Sequence, residues 1–279
     1  MRIIAIFSAM RLPRLHLFEL EDQPWFPDLL RRGLTDYLAA ISARTAPYAV
    51  VVPSLAELLA DQPAPRVRDY CSGAGGPWPQ LLPDVLDAAP RMHLELTDAF
   101  PNVTALEHFP AGTPVAYQPA SVQATDAWTD DATLATLFSA FHHFRPVDAC
   151  AILRQASKTQ TRIAVFEVTQ RSIRALAMMC LVPVAVVLLT PTIRPFRWWR
   201  LLFTYVLPIL PIAVLWDGLV SCWRTYRPEE LLALAATIPA SGMDWRAGEW
   251  RATGQPLPVT YLIGTPRSTR PIGQLERSP

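Results

Sequence analysis

A glycine-rich turn set between a short strand pattern and a helix constrains this chain more than any other feature. Residues 67–71 read as a strand that runs into Asp69-Tyr70-Cys71-Ser72-Gly73-Ala74-Gly75-Gly76, and a helix is expected over residues 78–88. Residues 92–97 predict a second strand with Asp98 at its end, 115–122 a third, 134–139 a fourth and 163–168 a fifth. A helix over 147–157 separates the last two, and residues 245–251 and 259–264 predict a closing antiparallel hairpin. Strands alternating with helices predict a parallel sheet joined by crossovers. The 279 residues suit one such α/β domain with an elaborate insert, or two small domains.

Open parallel sheets bind ligands beyond the carboxyl ends of their strands, where the strand order switches direction. The turn at 69–76 is placed for that role, since glycines let backbone amides approach a ligand closely. Asp98, one strand further on, can accept hydrogen bonds from ribose hydroxyls. An ordinary tight turn also uses glycines, so the acid behind it carries much of the weight. A dinucleotide fingerprint requires a third glycine where helix and strand pack closely. Here that position is Trp78, followed by Pro79, which argues against a nicotinamide or flavin dinucleotide.

Together these segments resemble class I S-adenosylmethionine-dependent methyltransferases, over residues 67–264 and in that family's strand order. The resemblance implies an α/β, Rossmann-like methyltransferase fold. Its sheet is mostly parallel and seven-stranded, closed by an antiparallel hairpin; the residues themselves add an N-terminal helical cap, from helical spacing over 25–41 and 55–60, and a hydrophobic helical insert after the fifth strand. The resemblance also implies S-adenosylmethionine as cofactor. Asp69, Cys71, Ser72, Gly73 and Gly75 match the first motif, around the methionine part; Asp98 matches the acid on the ribose. Gln123 and Ala124 match the segment that reads the adenine edge, and Phe138 matches the fourth-strand motif that lines cofactor and acceptor and runs on to His142 and His143. Cys71 stands where the family mostly has Gly, and Gln123 where an Asp usually faces the adenine amino group. Cysteine is small, and a glutamine carbonyl accepts the same hydrogen bond. The set is similar to a bacterial subgroup of methyltransferases with a greasy insert.

Methyl transfer is an in-line displacement that needs alignment and exclusion of water. A hydroxyl acceptor also profits from a base near neutral pH, a task that suits His142 or His143. Bonding to the backbone and shaping the loop explains the pair as well. No third ligand stands at a recognisable spacing from the two histidines, so no metal is expected. Glu167, ending the fifth strand, can orient an acceptor or cap a helix. His16, Glu19, Asp22 and Trp25 can fold over the cofactor from the cap, or form a solvated face. The absence of a Gly-x-Ser-x-Gly elbow and of a Walker loop removes hydrolase and nucleotidase readings.

Charge placement separates the middle of the chain from the rest. Between Arg171 and Arg227 stand seven arginines and one acid, Asp217, whereas the net charge of the whole is only +1 and gives no reason to invoke nucleic acid. Residues 175–193 and 201–216 are uncharged, marginal or short for a span and interrupted by Pro183, Pro208 and Pro211. A shallow monotopic hairpin on the inner face of the cell membrane is expected, with the flanking arginines and tryptophans at the headgroups. A buried lid or a dimer interface is the alternative. Four scattered cysteines fit reduced thiols in the cytoplasm, and residues 1–10 lack a clear cleavage site. The expected layout is a cap over 1–65, the methyltransferase domain over 66–266 with its insert at 172–224, and a disordered tail over 267–279. The expected function is methylation of a hydrophobic, lipid- or quinone-like acceptor at the membrane. The alternative is a non-catalytic membrane-bound protein that keeps the cofactor fold.

Overall fold

The computed structural model describes residues 12–129, 131–238, 242–252 and 254–267. The first ten residues and nearly all of the expected tail lie outside them. Seven strands form one sheet: β1 (Arg66–Tyr70), β2 (His93–Thr97), β3 (Val115–Tyr117), β4 (Leu134–Phe138), β5 (Arg162–Glu167), β6 (Met243–Trp250) and β7 (Val259–Pro266). Their order is β3-β2-β1-β4-β5-β7-β6. The first five run parallel, while β7 lies antiparallel between β5 and β6. This is a Rossmann-like α/β sheet closed by the antiparallel β7–β6 pair, with its switch in strand order between β1 and β4. β4 and β5 are buried on both faces, so their sequences read as nearly unbroken apolar runs. β3 stops at Tyr117, short of the expected 122, because Pro119 has no N–H to continue the ladder.

Among the described residues there are nine α-helices: α1 (Asp28–Thr45), α2 (Val52–Leu59), α3 (Trp78–Ala88), α4 (Pro146–Thr159), α5 (Ile173–Met179), α6 (Val182–Leu189), α7 (Trp198–Leu201), α8 (Ile209–Arg224) and α9 (Pro228–Ala236). α4 and α9 each open on a proline, whose fixed φ suits the first turn, with acids nearby to complement the helix dipole. One core packs α2 and α3 against the sheet, with Trp78 fully buried in it. A second core joins α4 and α9 to the sheet through Ile152, Leu153, Leu231 and Ala235. A third contains no strand: Leu30, Leu34 and Tyr37 of α1 pack against Val186, Ile193, Leu210, Ala213 and Val214.

The expected cap is therefore divided. α2 belongs to the main core, whereas α1 shares its core with the insert. Within the insert, Pro183 opens α6 rather than breaking a helix, and the stretch Ile173–Thr192 is long and apolar enough to cross a membrane. After it, Trp198–Val206 and Ile209–Arg224 meet at a 78° bend. Residues 12–27, without helix or strand, form a strap between α8 and the carboxyl ends of β4 and β5.

Candidate active site

The carboxyl ends of β1, β2 and β4 lie level, with Asp69 registered to Leu96 on one side and Thr136 on the other. Asp69 is buried, and its carboxylate accepts the hydroxyls of Ser72 (2.7 Å) and Thr136 (2.6 Å). These bonds brace the start of the turn. Burial nevertheless lifts the Asp69 pKa to about 6, against the pull of those hydroxyls. Beyond it the backbone turns left-handed at Cys71 (φ 58°), Gly73 (φ 50°) and Gly75 (φ 92°). A side chain at Gly75 would also press on the Phe109 ring, 3.2 Å from a Cβ placed there. Burial pushes the Cys71 thiol well above its ordinary value.

Asp98 ties β2 to the turn. Its Oδ2 accepts the Gly73 amide and its Oδ1 the Phe100 amide, both at 2.8 Å. Each oxygen retains a lone pair for a ligand hydroxyl. Burial raises its pKa, while those two amides oppose the shift. Ala124 is buried, and its carbonyl accepts the indole N–H of Trp128, which stacks on Tyr70. The Gln123 side chain is exposed. Phe138 departs from its expected place lining the cleft: its ring sits in the main core, edge-on to Tyr48 and Trp78.

The two histidines follow β4 in a 3-10 turn, Phe141–His143. His142 is held twice by Glu167 at the end of β5: its amide donates to Oε1 (3.1 Å) and its Nδ1 lies 2.7 Å from Oε2. Glu167 thus orients His142 rather than capping a helix. His143 turns toward the strap, with Nδ1 2.7 Å from Asp22 and 3.2 Å from Glu19. Burial works against a charge on His143, but Glu19, Asp22 and Glu21 outweigh it and raise its pKa to about 10. Glu19 and Asp22 therefore pack on the loop after β4 rather than forming a solvated face. Trp25 is two-thirds exposed and stays outside.

Sequence reasoning missed Arg224. Its guanidinium NH1 lies 3.2 Å from Glu19 and 2.7 Å from Asp22, and its Nε donates to the His142 carbonyl at 3.2 Å. Asp217 on the same helix accepts the amides of Leu20 (2.7 Å) and Glu21 (3.1 Å), and the Ser221 hydroxyl donates to Glu19 (3.2 Å). The signal was present as a polar stripe, Asp217, Ser221 and Arg224, at helical spacing in an apolar segment. Placing the arginines at headgroups needs correction for three of them. Arg171 is buried against Glu230, Arg200 against Asp36 and Arg224 in the cleft. A charge held out of water needs such a partner.

No family model matches the chain, and no curated protein matches it. Among solved structures it is similar to an O-methyltransferase family protein from Burkholderia thailandensis, at 16% identity over 86% of this chain and 60% of that one, with a TM-score of 0.49. It is likewise similar to human N-acetylserotonin methyltransferase in complex with S-adenosylmethionine, at 15% identity over 88% and 59%, with a TM-score of 0.49. Magnesium protoporphyrin IX methyltransferase from Synechocystis PCC 6803 is matched at 11% identity over 80% and 84%, with a TM-score of 0.44. The chain spans about three-fifths of the first two structures.

Proposed function

We propose that this chain is an S-adenosylmethionine-dependent methyltransferase whose acceptor is hydrophobic, of lipid or quinone type, and reaches it from a membrane surface. The observation that carries the reading is the meeting of two features at the switch point. A glycine turn is tied to Asp98 on one side, and His142 is held by Glu167 on the other.

The residues fit the cofactor. Gly73 and Gly75 supply a backbone cradle for its methionine part, Asp98 has lone pairs left for two ribose hydroxyls, and Ala124 and Gln123 follow β3 where the adenine edge would lie. When bound, the cofactor supplies a methyl group on a sulfonium. The chain's own part is alignment, exclusion of water and removal of the acceptor's proton. With Nδ1–H of His142 donated to Glu167, the Nε2 lone pair is free to take a proton from a hydroxyl acceptor. His143, kept cationic by its carboxylates, is not suited to that step.

The insert supports the acceptor class. Leu181, Val184, Leu188, Trp198, Val206 and Ile212 are each more than half exposed, on the segment that follows β5 and reaches the cleft through α8. Such an apolar surface suits the inner face of the cell membrane, entered as a shallow hairpin.

Calorimetry on the purified full chain tests the central claim. Wild type should bind S-adenosylmethionine, and Asp98→Asn should weaken binding by about 1.5–3 kcal/mol for each charged hydrogen bond lost. Equal affinity in the two proteins, or none in wild type, ends this reading. Binding without turnover on any lipid or quinone acceptor would favour the non-catalytic alternative.

A further inference from the structure

Of the buried polar atoms here, Nε2 of His142 has no hydrogen-bond partner, and Oε2 of Glu19 has only its ion pair with His143. His142 is 2% exposed and Glu19 not at all, so water does not compensate either atom. They converge on one place. Nε2 of His142 lies 3.7 Å from Glu19 Oε1, and Glu19 Oε2 lies 3.2 Å from Nδ1 of His143. One donor atom from each of Glu19, His142 and His143 falls within 4.8 Å of the others.

We propose that these three side chains bind one divalent transition-metal ion of the zinc and cobalt type, with a fourth position open. This proposal does not rest on the methyl-transfer reading. Two imidazoles and one carboxylate suit zinc, cobalt, nickel or iron rather than magnesium or calcium, which prefer oxygen. Ligands about 2.0–2.1 Å from a tetrahedral ion stand about 3.3 Å from one another, so the 3.7 and 3.2 Å separations, made by the two different oxygens of Glu19, and the 4.8 Å bound on the set mean that the three side chains must close in slightly on binding.

The surroundings fit as well. Nδ1 of His142 lies 2.7 Å from Glu167 Oε2, the carboxylate–histidine pairing that fixes the tautomer of a ligating imidazole. The carboxylates of Glu19, Asp22 and Glu167 converge here, with Arg224 as the one guanidinium within 4 Å of them among the described residues. Arg14, close by, donates to the carbonyls of His142, Phe144 and Arg224 instead. With the ion bound, Nε2 of His142 is a ligand rather than a base, and the open position can take an oxygen of water or of an acceptor.

No spacing rule in the sequence reaches this set, because Glu19 arrives from the strap. The ion would also pin the strap to the loops after β4 and β5, which gives a readout independent of activity.

The test uses the full chain without an affinity tag, stripped with a chelator and titrated with Co²⁺. One equivalent should bind with the visible absorption of tetrahedral cobalt, and Zn²⁺ should displace it and raise the melting temperature. His142→Ala and Glu19→Gln should each weaken binding at least tenfold, as should Glu167→Gln acting through His142, where loss of such a partner weakens binding about 10–100-fold. His93→Ala, an exposed site on β2, should leave it unchanged. X-ray absorption of the zinc-loaded wild type should show two imidazoles in the shell, which needs no variant to fold. Absence of stoichiometric uptake, a shell without imidazole, or full affinity in folded His142→Ala overturns the proposal. S-adenosylmethionine affinity measured on the stripped protein separates the two claims: cofactor binding without ion uptake sinks the metal alone, and ion uptake without cofactor binding sinks the methyltransferase alone.

Discussion

Asp69 shows how little room the turn leaves for a charge. Burial raises its folded pKa from 3.8 to about 6. A carboxyl with a raised folded pKa contributes stability that is full below its unfolded value and is lost as pH rises through the folded one. Wild type should therefore lose stability relative to Asp69→Asn as pH rises from below 3.8 to above 6. The relative change should be at most about 3 kcal/mol, read by urea unfolding at each pH. A flat difference would mean that Asp69 is not held in this way. The histidines make the second residue-scale test. His142→Ala should reduce turnover by about 10²–10⁴-fold and still bind cofactor. His143→Ala should mainly lower stability, since it removes a cation from between Glu19 and Asp22. Equal activity in both variants would assign the pair to shaping the loop. Positions were legible residue by residue: the turn glycines, Asp98 and the histidine pair follow β1, β2 and β4 as the sequence predicts. Cys71 was legible in position but not in consequence. Its φ of 58° lies in the left-handed region that costs a non-glycine residue about 1–2 kcal/mol, so size was not the whole reason for glycine there. Phe138 was misplaced because a strand alternates faces, and a motif match does not say which face meets the cleft.

At the scale of elements, strands and crossover helices were readable because their periodicities differ and their ends carry proline or glycine. The insert was harder. Two uncharged runs state that a segment is apolar, not which side of each helix packs. In the structure one side meets α1 and the other is bare, with only 17% of the most apolar window of Ile173–Thr192 buried. Excising residues 175–216 would strip Leu30, Leu34 and Tyr37 of their partners, so point substitutions make the better membrane test. The bare side chains of Leu188 and Val206 contribute to insertion at about 1.5 kcal/mol or more each. The double variant Leu188→Glu, Val206→Glu should thus lose about a hundredfold in vesicle partition, with its melting temperature unchanged. Wild type should sediment with vesicles and stay bound in high salt, since apolar burial is not screened. A freely soluble wild type, or undiminished partition in the variant, would remove the membrane from the proposal.

Across the whole molecule, sequence local to each element predicted the sheet, but the cleft is closed by contacts between distant segments. The strap meets α8 through Leu20 and Asp217, Trp216 and the Phe18 carbonyl, and Leu15 and the Trp223 carbonyl. A polar stripe on a helix does not say which distant segment it will meet, which is why Arg224 went unread. These contacts also impose a timetable on biosynthesis. Leu20 leaves the ribosome 197 residues ahead of Asp217. At about 5–20 residues per second, it waits on the order of ten to forty seconds for its partner. The strap is thus made before β1 and cannot find its place until α8 follows β5, so a nascent chain can complete its five parallel strands while the strap still lacks its partner.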